Sequence, residues 1–392
     1  MPFVVHLLGL AVFAQATSEF MLSGLVPGIA RDLHVSIPAA GFLTSAFAVG
    51  MVVGAPLMAI LSLRRSRRRS LLTFLVTFLL VHVLGAVTTS YGVLLLSRVV
   101  GALACAGFLA VALATAMSLV APNAKGRATS ILLGGVTVAC VVGVPGGALL
   151  GQLWGWRSAF WAVAILSVPA IVAILRSVPA DGPESDHTSA RDELRSLRDR
   201  RLVVILLLGC LVNGATFCSF TYLAPLVTTV TGIESAWVPA MLALFGLGSF
   251  LGVTVGGRMA DVRPVALLVS GGVALLVGWT VFAVAAGSPV ATTVLVFVQG
   301  TLSFAVGSTL ISQALYAAAG APALAGGFAT AALNVGAALG PWFGGISIGA
   351  GLGYRSPLWV SALLVALALA TAGVAWGIRR GAAGSHEEVV AP

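Results

Sequence analysis

Residues 177–201 read SVPADGPESDHTSARDELRSLRDRR, the one long polar run in a chain of 392 residues that is 59% hydrophobic and 8% charged. A soluble domain carries about 25% charged residues, so this chain lacks the charge to cover a water-exposed surface. Disorder is excluded as well, because it needs low hydrophobicity and high charge. Six apolar stretches precede the run, near 3–26, 38–62, 70–89, 93–120, 128–152 and 157–177. Six follow it, near 202–230, 237–257, 265–287, 289–318, 326–350 and 356–377. Each approaches the roughly 20 residues a helix needs to cross the hydrocarbon core of a bilayer. The expected fold is an all-α membrane protein with twelve transmembrane helices. It comprises a six-helix bundle over 1–178, a linker over 179–201, and a second bundle with a short tail over 202–392. ARDELRSLRDRR within the linker has the pattern of a short amphipathic helix for an anionic leaflet, although a solvated tether is the simpler reading.

The basic residues orient these helices. With the N-terminus inside, the cytoplasmic loops take Arg64, Arg65, Arg67, Arg68, Arg69, Lys125, Arg127, Arg176, Arg191, Arg195, Arg198, Arg200, Arg201, Arg258, Arg263, Arg379 and Arg380. Only Arg31, Arg157 and Arg355 fall outside, and Arg98 lies within a span. The positive-inside rule then places both termini in the cytoplasm. It also accounts for the net charge of +9 without a nucleic-acid partner. Residues 1–27 contain no Lys or Arg and are too long for the apolar core of a signal peptide, so they read as the first span. Cys105, Cys140, Cys210 and Cys218 lie in apolar runs without metal-ligand spacing, as small packing residues do.

An offset of 198 residues maps the chain onto itself. It pairs Pro27 with Pro225, Phe47 with Phe245, Gly50 with Gly248, Gly54 with Gly252 and Arg65 with Arg263. It goes on to pair Gly146, Gly147, Gly151 and Gly155 with Gly344, Gly345, Gly349 and Gly353, and Arg157-Ser158 with Arg355-Ser356. Six spans per copy make the repeats parallel, an arrangement known among secondary transporters, with the substrate held between the halves near the midplane.

Twelve spans in two parallel halves resemble the major facilitator superfamily over the whole chain. Its cytoplasmic G-x-x-x-D-R-x-G-R-R motif has a fair copy in Gly257-Arg-Met-Ala-Asp261-Val-Arg263 and a degraded one retaining Arg64, Arg67 and Arg68. The resemblance gives these residues a gating role, whereas topological anchoring is the plainer one. The antiporters' glycine/proline motif is echoed in Gly143-Val-Pro145-Gly146-Gly147 and more fully in Gly336-x3-Gly340-Pro341-x2-Gly344-Gly345. Glycines at that spacing let helices approach closely, and proline permits a bend. ATSEFMLSGLVPGIARDL, VSIPAAGFLTSAFAVGMVVGAPLMA, GVPGGALLG and FVQGTLSFAVGSTL look like drug exporters of the bacterial drug:proton antiporter group, in particular the actinobacterial chloramphenicol-resistance exporters. That resemblance implies export of a small amphiphilic drug across the inner membrane, driven by protons without a cofactor. An exporter of sugars or metabolites is the alternative, and a receptor or passive channel a more distant one.

Glu19 is the lone acid inside a span, and Arg98 the lone base. Such charges cost about 2.5–3.5 kcal/mol on insertion scales and normally face a cavity or a partner. Seven residues separate Glu19 from the span end at Val26 and five separate Val93 from Arg98, so both lie roughly 8–10 Å below the outer surface. In the resembled fold both helices line the central cavity, and a pair is expected. Desolvation raises a carboxyl's proton affinity and a nearby guanidinium lowers it, so Glu19 is the expected proton carrier. Arg98-Val-Val-Gly101 resembles the family's R-x-x-x-G motif, shortened by one residue, which implies a part in proton transfer. Asp32 at the outer mouth is a second candidate. Gln15, Asn213, Gln299, Gln313, Tyr222, Tyr316 and Asn334 are candidate cavity residues, and Phe20 and Phe217 would offer faces to a nitrophenyl ring. His82 reads as an ordinary packed histidine. No P-loop, HExxH or G-x-S-x-G is present, so enzymatic activity is not expected. A monomer is expected, since each chain holds its own two-halved cavity.

Overall fold

The computed structural model describes residues 2–62, 66–121, 124–178, 200–260, 262–317 and 322–388, with the main chain alone given at 55, 56, 58–62, 125, 126, 322–327 and 378–388. Arg64, Asp261 and the linker's proposed amphipathic segment up to 199 lie outside these residues. The described chain is helical throughout, with twelve helices long and apolar enough to cross a membrane. They are Phe3–Phe20, Ile37–Gly54, Arg67–Val87, Tyr91–Ser118, Arg127–Trp154, Arg157–Ser177, Arg200–Thr221, Ser235–Ala260, Pro264–Ala285, Pro289–Ala317, Phe328–Leu352 and Ser356–Gly377, numbered below as the first to the twelfth span.

Two spans differ from the continuous helices expected. The first stops at Phe20, turns at Met21 and resumes as Leu22–Asp32. The seventh stops at Thr221, turns at Tyr222 (φ −106°, ψ 17°) and resumes at Leu223. Proline has no N–H to offer the carbonyl four residues back, and Pro225 thereby leaves Thr221 without its helical partner. In the first span Gly24 bonds to the carbonyl of Met21 instead of continuing the four-residue ladder.

The repeat is visible in packing. A side chain on Gly50 would put its Cβ 2.7 Å from Ala102 Cβ and 2.8 Å from Val99 O, so the second span lies directly on the fourth. Gly248 and Gly252 hold the eighth span on the tenth in the same way, against Phe297 O and Thr301. The last helix of each half starts alike too. Gly155 (φ 81°) and Gly353 (φ 75°) adopt a left-handed turn that favours glycine. Ser158 and Ser356 then each donate a hydroxyl to that glycine's carbonyl at 2.7 Å.

One buried apolar cluster draws on Val4 to Val178. A second runs from Val212 to Ala368 and also takes Val144 and Ala148 of the fifth span. The halves meet where the second span packs on the eleventh and the fifth on the eighth. Near Asp32 this seam is sealed. The Tyr222 ring lies on Gly41, where a Cβ would sit 2.6 Å from Cζ, and its hydroxyl donates to Pro341 O at 2.8 Å. Gln152 also donates its amide across the seam to Ser235 O. Toward the opposite end the fifth and eighth spans touch mainly along 139–154 and only thinly along 125–138.

Candidate functional site

The break in the first span explains what gathers around it. A helix end leaves carbonyls without partners, and cations are favoured there. Arg98, 2% exposed on the fourth span, supplies the cation. Its Nη2 donates to Ser18 O at 2.8 Å and its Nη1 to Ser18 Oγ at 2.7 Å, while the guanidinium lies 4.3 Å from the centre of the Phe47 ring. Ser18 Oγ in turn lies 2.6 Å from Nε2 of His82 on the third span, whose Nδ1 is 2.7 Å from Phe78 O. The ring packs against Phe78 and Phe160.

Glu19 is the next residue. It is partly buried, within electrostatic reach of Arg98, yet it has no hydrogen bond or ion pair among the described residues. The structure thus brings the two intramembrane charges together without the direct pair expected: Nη1 and Nη2 bond Ser18, and Nε has no partner among the described residues.

Phe20, following Glu19, opens an aromatic series across the seam. Phe20 and Phe217 have ring centres 5.6 Å apart, Phe217 and Phe220 6.3 Å, Phe220 and Phe245 4.5 Å, and Phe245 and Phe304 6.2 Å. These five rings, with Cys140 and Thr216, line a narrow slot contributed by five spans of both halves. The 198-residue offset clarifies the division. Ser18, Glu19, His82 and Arg98 correspond to Thr216, Phe217, Thr280 and Val296. The first half thus keeps the charges where the second half has an apolar, aromatic wall.

Other expected residues fall elsewhere. Gln299 turns away from the seam, donating to Leu275 O at 3.3 Å while filling the space beside Gly278. Asn213 ties the seventh span to the eleventh through Leu333 O at 2.7 Å, and Asn334 bonds its own helix at Thr330 O. Tyr222 is the seam's plug. Tyr316 is exposed and Gln313 half-buried on the tenth span. Gln15 is 1% exposed, and neither amide atom has a partner among the described residues.

Asp32 forms an ion pair with Arg157 and accepts from Trp156 Nε1 at 2.9 Å, while Arg157 also donates to Thr88 O at 2.9 Å. The Trp156 bond, then the Arg157 bond, hold its carboxyl below the usual carboxylate range. Among the motif residues, Arg68 bonds Leu175 O at 2.6 Å and so joins the third and sixth spans. Arg67 stands at the start of the third span, and Arg263 precedes the ninth. Gly143 packs on Thr17 and Gly147 on Met21; Gly146 has open space around it, and Pro145 follows a π-helical turn over Ala139–Gly143. Gly340 meets the main chain of Gly214, and Pro341 receives Tyr222.

His82, Ser18, Phe47, Phe220, Phe245 and Phe304 were not among the residues expected from the sequence. Phe217 and Phe220 at helical spacing were one available signal, and Ser18 beside Glu19 another.

A charge-bearing half facing an aromatic half across a sealed seam defines a multi-pass membrane transporter built on two six-helix repeats. The chain belongs to the Major Facilitator Superfamily, whose model matches residues 8–326. It is 55% identical over 375 residues to a chloramphenicol resistance protein of Streptomyces lividans, covering 95% of this chain and 96% of that one. It is 36% identical to the inner membrane transport protein YdhP of Escherichia coli strain K12, covering 92% and 93%. Among solved structures, a bacterial homologue of the human lysosomal transporter Spinster, inward-facing and unoccupied, matches with a TM-score of 0.77 at 18% identity, covering 94% of this chain and 95% of that one. The nucleoside transporter NupG (D323A mutant) matches with a TM-score of 0.76 at 13% identity, covering 94% and 99%.

Proposed function

We propose that this protein exports chloramphenicol or a related small amphiphilic drug across the cytoplasmic membrane in exchange for protons, as a monomer and without a cofactor. One juxtaposition carries the reading: Glu19, the lone acid within the spans, is followed directly by Phe20, the first ring of the aromatic slot. A neutral aromatic drug needs an apolar pocket with few convergent polar groups; the lining of the slot has that character, and the slot must widen to admit a drug. The 55%-identical chloramphenicol resistance protein supports the substrate class.

In this reading Glu19 takes a proton from outside and releases it inside, and drug in the slot competes with the protonated state. The halves, 1–178 and 202–392, rock about their seam while the segment 179–201 tethers them. Both termini are cytoplasmic by the distribution of basic residues, so the Asp32 end faces outward. Its seal of Tyr222, Gly41 and Gln152 belongs to a state closed to the outside. Arg98 acts beside Glu19, and Asp32 serves as a clamp between the first, third and sixth spans. Arg64, Arg67, Arg68, Asp261 and Arg263 are assigned to the inner gate.

The test is chloramphenicol accumulation in cells expressing the chain, with and without a protonophore, alongside Glu19→Gln. Lowered accumulation that both treatments restore supports the reading. Accumulation that never falls sinks the drug assignment.

A further inference from the structure

The hydrogen bonds around Ser18 leave one consistent assignment of protons. Phe78 O only accepts, so His82 Nδ1 carries the hydrogen of the 2.7 Å contact. A guanidinium only donates, so Ser18 Oγ accepts from Arg98 Nη1 at 2.7 Å. The serine's single hydrogen is then free for His82 Nε2, which accepts it at 2.6 Å. With His82 neutral, each of these three contacts has one donor and one acceptor. A charged ring would give Ser18 two donors, leave its hydroxyl hydrogen without an acceptor and bury a second cation. His82 is 2% exposed and clamped between Phe78 and Phe160, so it has little freedom to turn away.

We propose that His82 is a positioning residue of the proton-coupling site, acting through the Ser18 hydroxyl to hold the guanidinium of Arg98 on Ser18 and off the neighbouring carboxylate of Glu19. The inference rests on the reading of Glu19 as the proton carrier. The bond to His82 fixes the rotation of the hydroxyl, so that its lone pairs face Arg98 and its hydrogen does not. Without that acceptor the hydroxyl is free to rotate, its bond to Nη1 weakens, and the bond to Ser18 O is the fixed one that remains. Arg98 is then free to lean toward Glu19, one residue along the same broken turn. Around this point the fourth span brings Arg98 and Cys105, the fifth brings Cys140 and the third His82. The second, sixth and seventh spans bring no acid, histidine, lysine or arginine at this depth. The second half has Thr216, Thr280 and Val296 at the corresponding positions, so the device belongs to the half that carries Glu19.

The experiment follows Glu19 by the infrared carboxyl stretch of the purified full-length chain, titrated with pH and assigned by its loss in Glu19→Gln. His82→Phe keeps an aromatic ring between Phe78 and Phe160 but offers Ser18 no acceptor. Its titration midpoint is expected to fall by about one pH unit, because a closer guanidinium favours the ionised carboxyl. Ser18→Ala should move it the same way. His82→Gln, whose amide supplies one donor and one acceptor, should restore most of the midpoint. If His82→Phe does not fold, Ser18→Ala and His82→Gln carry the comparison. Midpoints unmoved in His82→Phe and Ser18→Ala, with the Glu19 band still present and titrating, overturn the inference and leave the Glu19 reading intact. Absence of a titrating band that Glu19→Gln removes overturns both.

Discussion

The guanidinium of Arg98 binds the carbonyl and the hydroxyl of Ser18, and not the carboxylate of Glu19 one residue further on. An acid held beside a cation without being neutralised by it can exchange its proton at modest cost, whereas a closed ion pair would lock the charge. The broken first span produces this arrangement, since its unsatisfied carbonyl competes for the cation.

Glu19→Gln should abolish proton-driven drug export while leaving drug-for-drug exchange in proteoliposomes. Gln keeps the shape and removes the titration, so the proton step is lost and the slot is untouched. Loss of both activities together would instead mark Glu19 as part of the drug site.

Asp32→Asn should leave the pH dependence of transport unchanged. The folded pKa of Asp32 is lowered by Trp156 and Arg157. Its contribution to stability is therefore complete above the unfolded value, about 3.9, and is lost as pH falls through the still lower folded value. The difference in melting temperature between the two proteins should be constant from about pH 5 to 8 and should vanish in strong acid. With Asp32 45% and Arg157 30% exposed, the ion pair adds at most about 0.2–1 kcal/mol. A transport profile that shifts near neutral pH would return Asp32 to the proton path.

Phe220→Ala and Phe245→Ala should each weaken drug binding several-fold, since an aromatic pair contributes about 0.5–1.5 kcal/mol beyond its buried area. Phe47→Ala, at the corresponding position of the other half, faces Arg98 and should alter coupling with little effect on affinity. Equilibrium binding measured beside transport separates the two outcomes.

Gly41→Ala should open the Asp32 end. Its methyl would fall 2.6 Å from Tyr222 Cζ, and overpacking of this kind costs about 1–3 kcal/mol, enough to shift a two-state equilibrium by about five- to 150-fold. Alkylation of a cysteine placed at Ala48, buried where the second and eleventh spans meet, should accelerate. Unchanged labelling would mean that Tyr222 is not the plug.

Gly340→Ala and Gly146→Ala should differ although both glycines sit in copies of one motif. The first places a Cβ 2.9 Å from Gly214 C and 3.0 Å from Cys218 N, and the second meets open space. A thermal melt of Gly340→Ala should show clear destabilisation, while Gly146→Ala should stay within about 0.5 kcal/mol of the parent.

The twelve helices, the repeat and the two lone charges were all legible from residue order, because hydrophobic length and charge placement are local properties that a bilayer reads segment by segment. Which helices the paired glycines lie against was decided by the structure. The partners of polar groups were not legible in the same way. Gln299 looked like a cavity residue, but its amide bonds Leu275 O on the ninth span, and Asn334 bonds Thr330 O of its own helix. His82 looked like a packing residue until the third and first spans were seen to meet at Ser18. Residue order alone determined a polytopic transporter with a single acid at risk in its membrane core. Only the tertiary structure decided that Arg98 answers Ser18 and that Phe20 completes an aromatic wall from the other half. Both depend on where a helix breaks and which way its neighbours face, and those are set by packing between segments far apart in the chain.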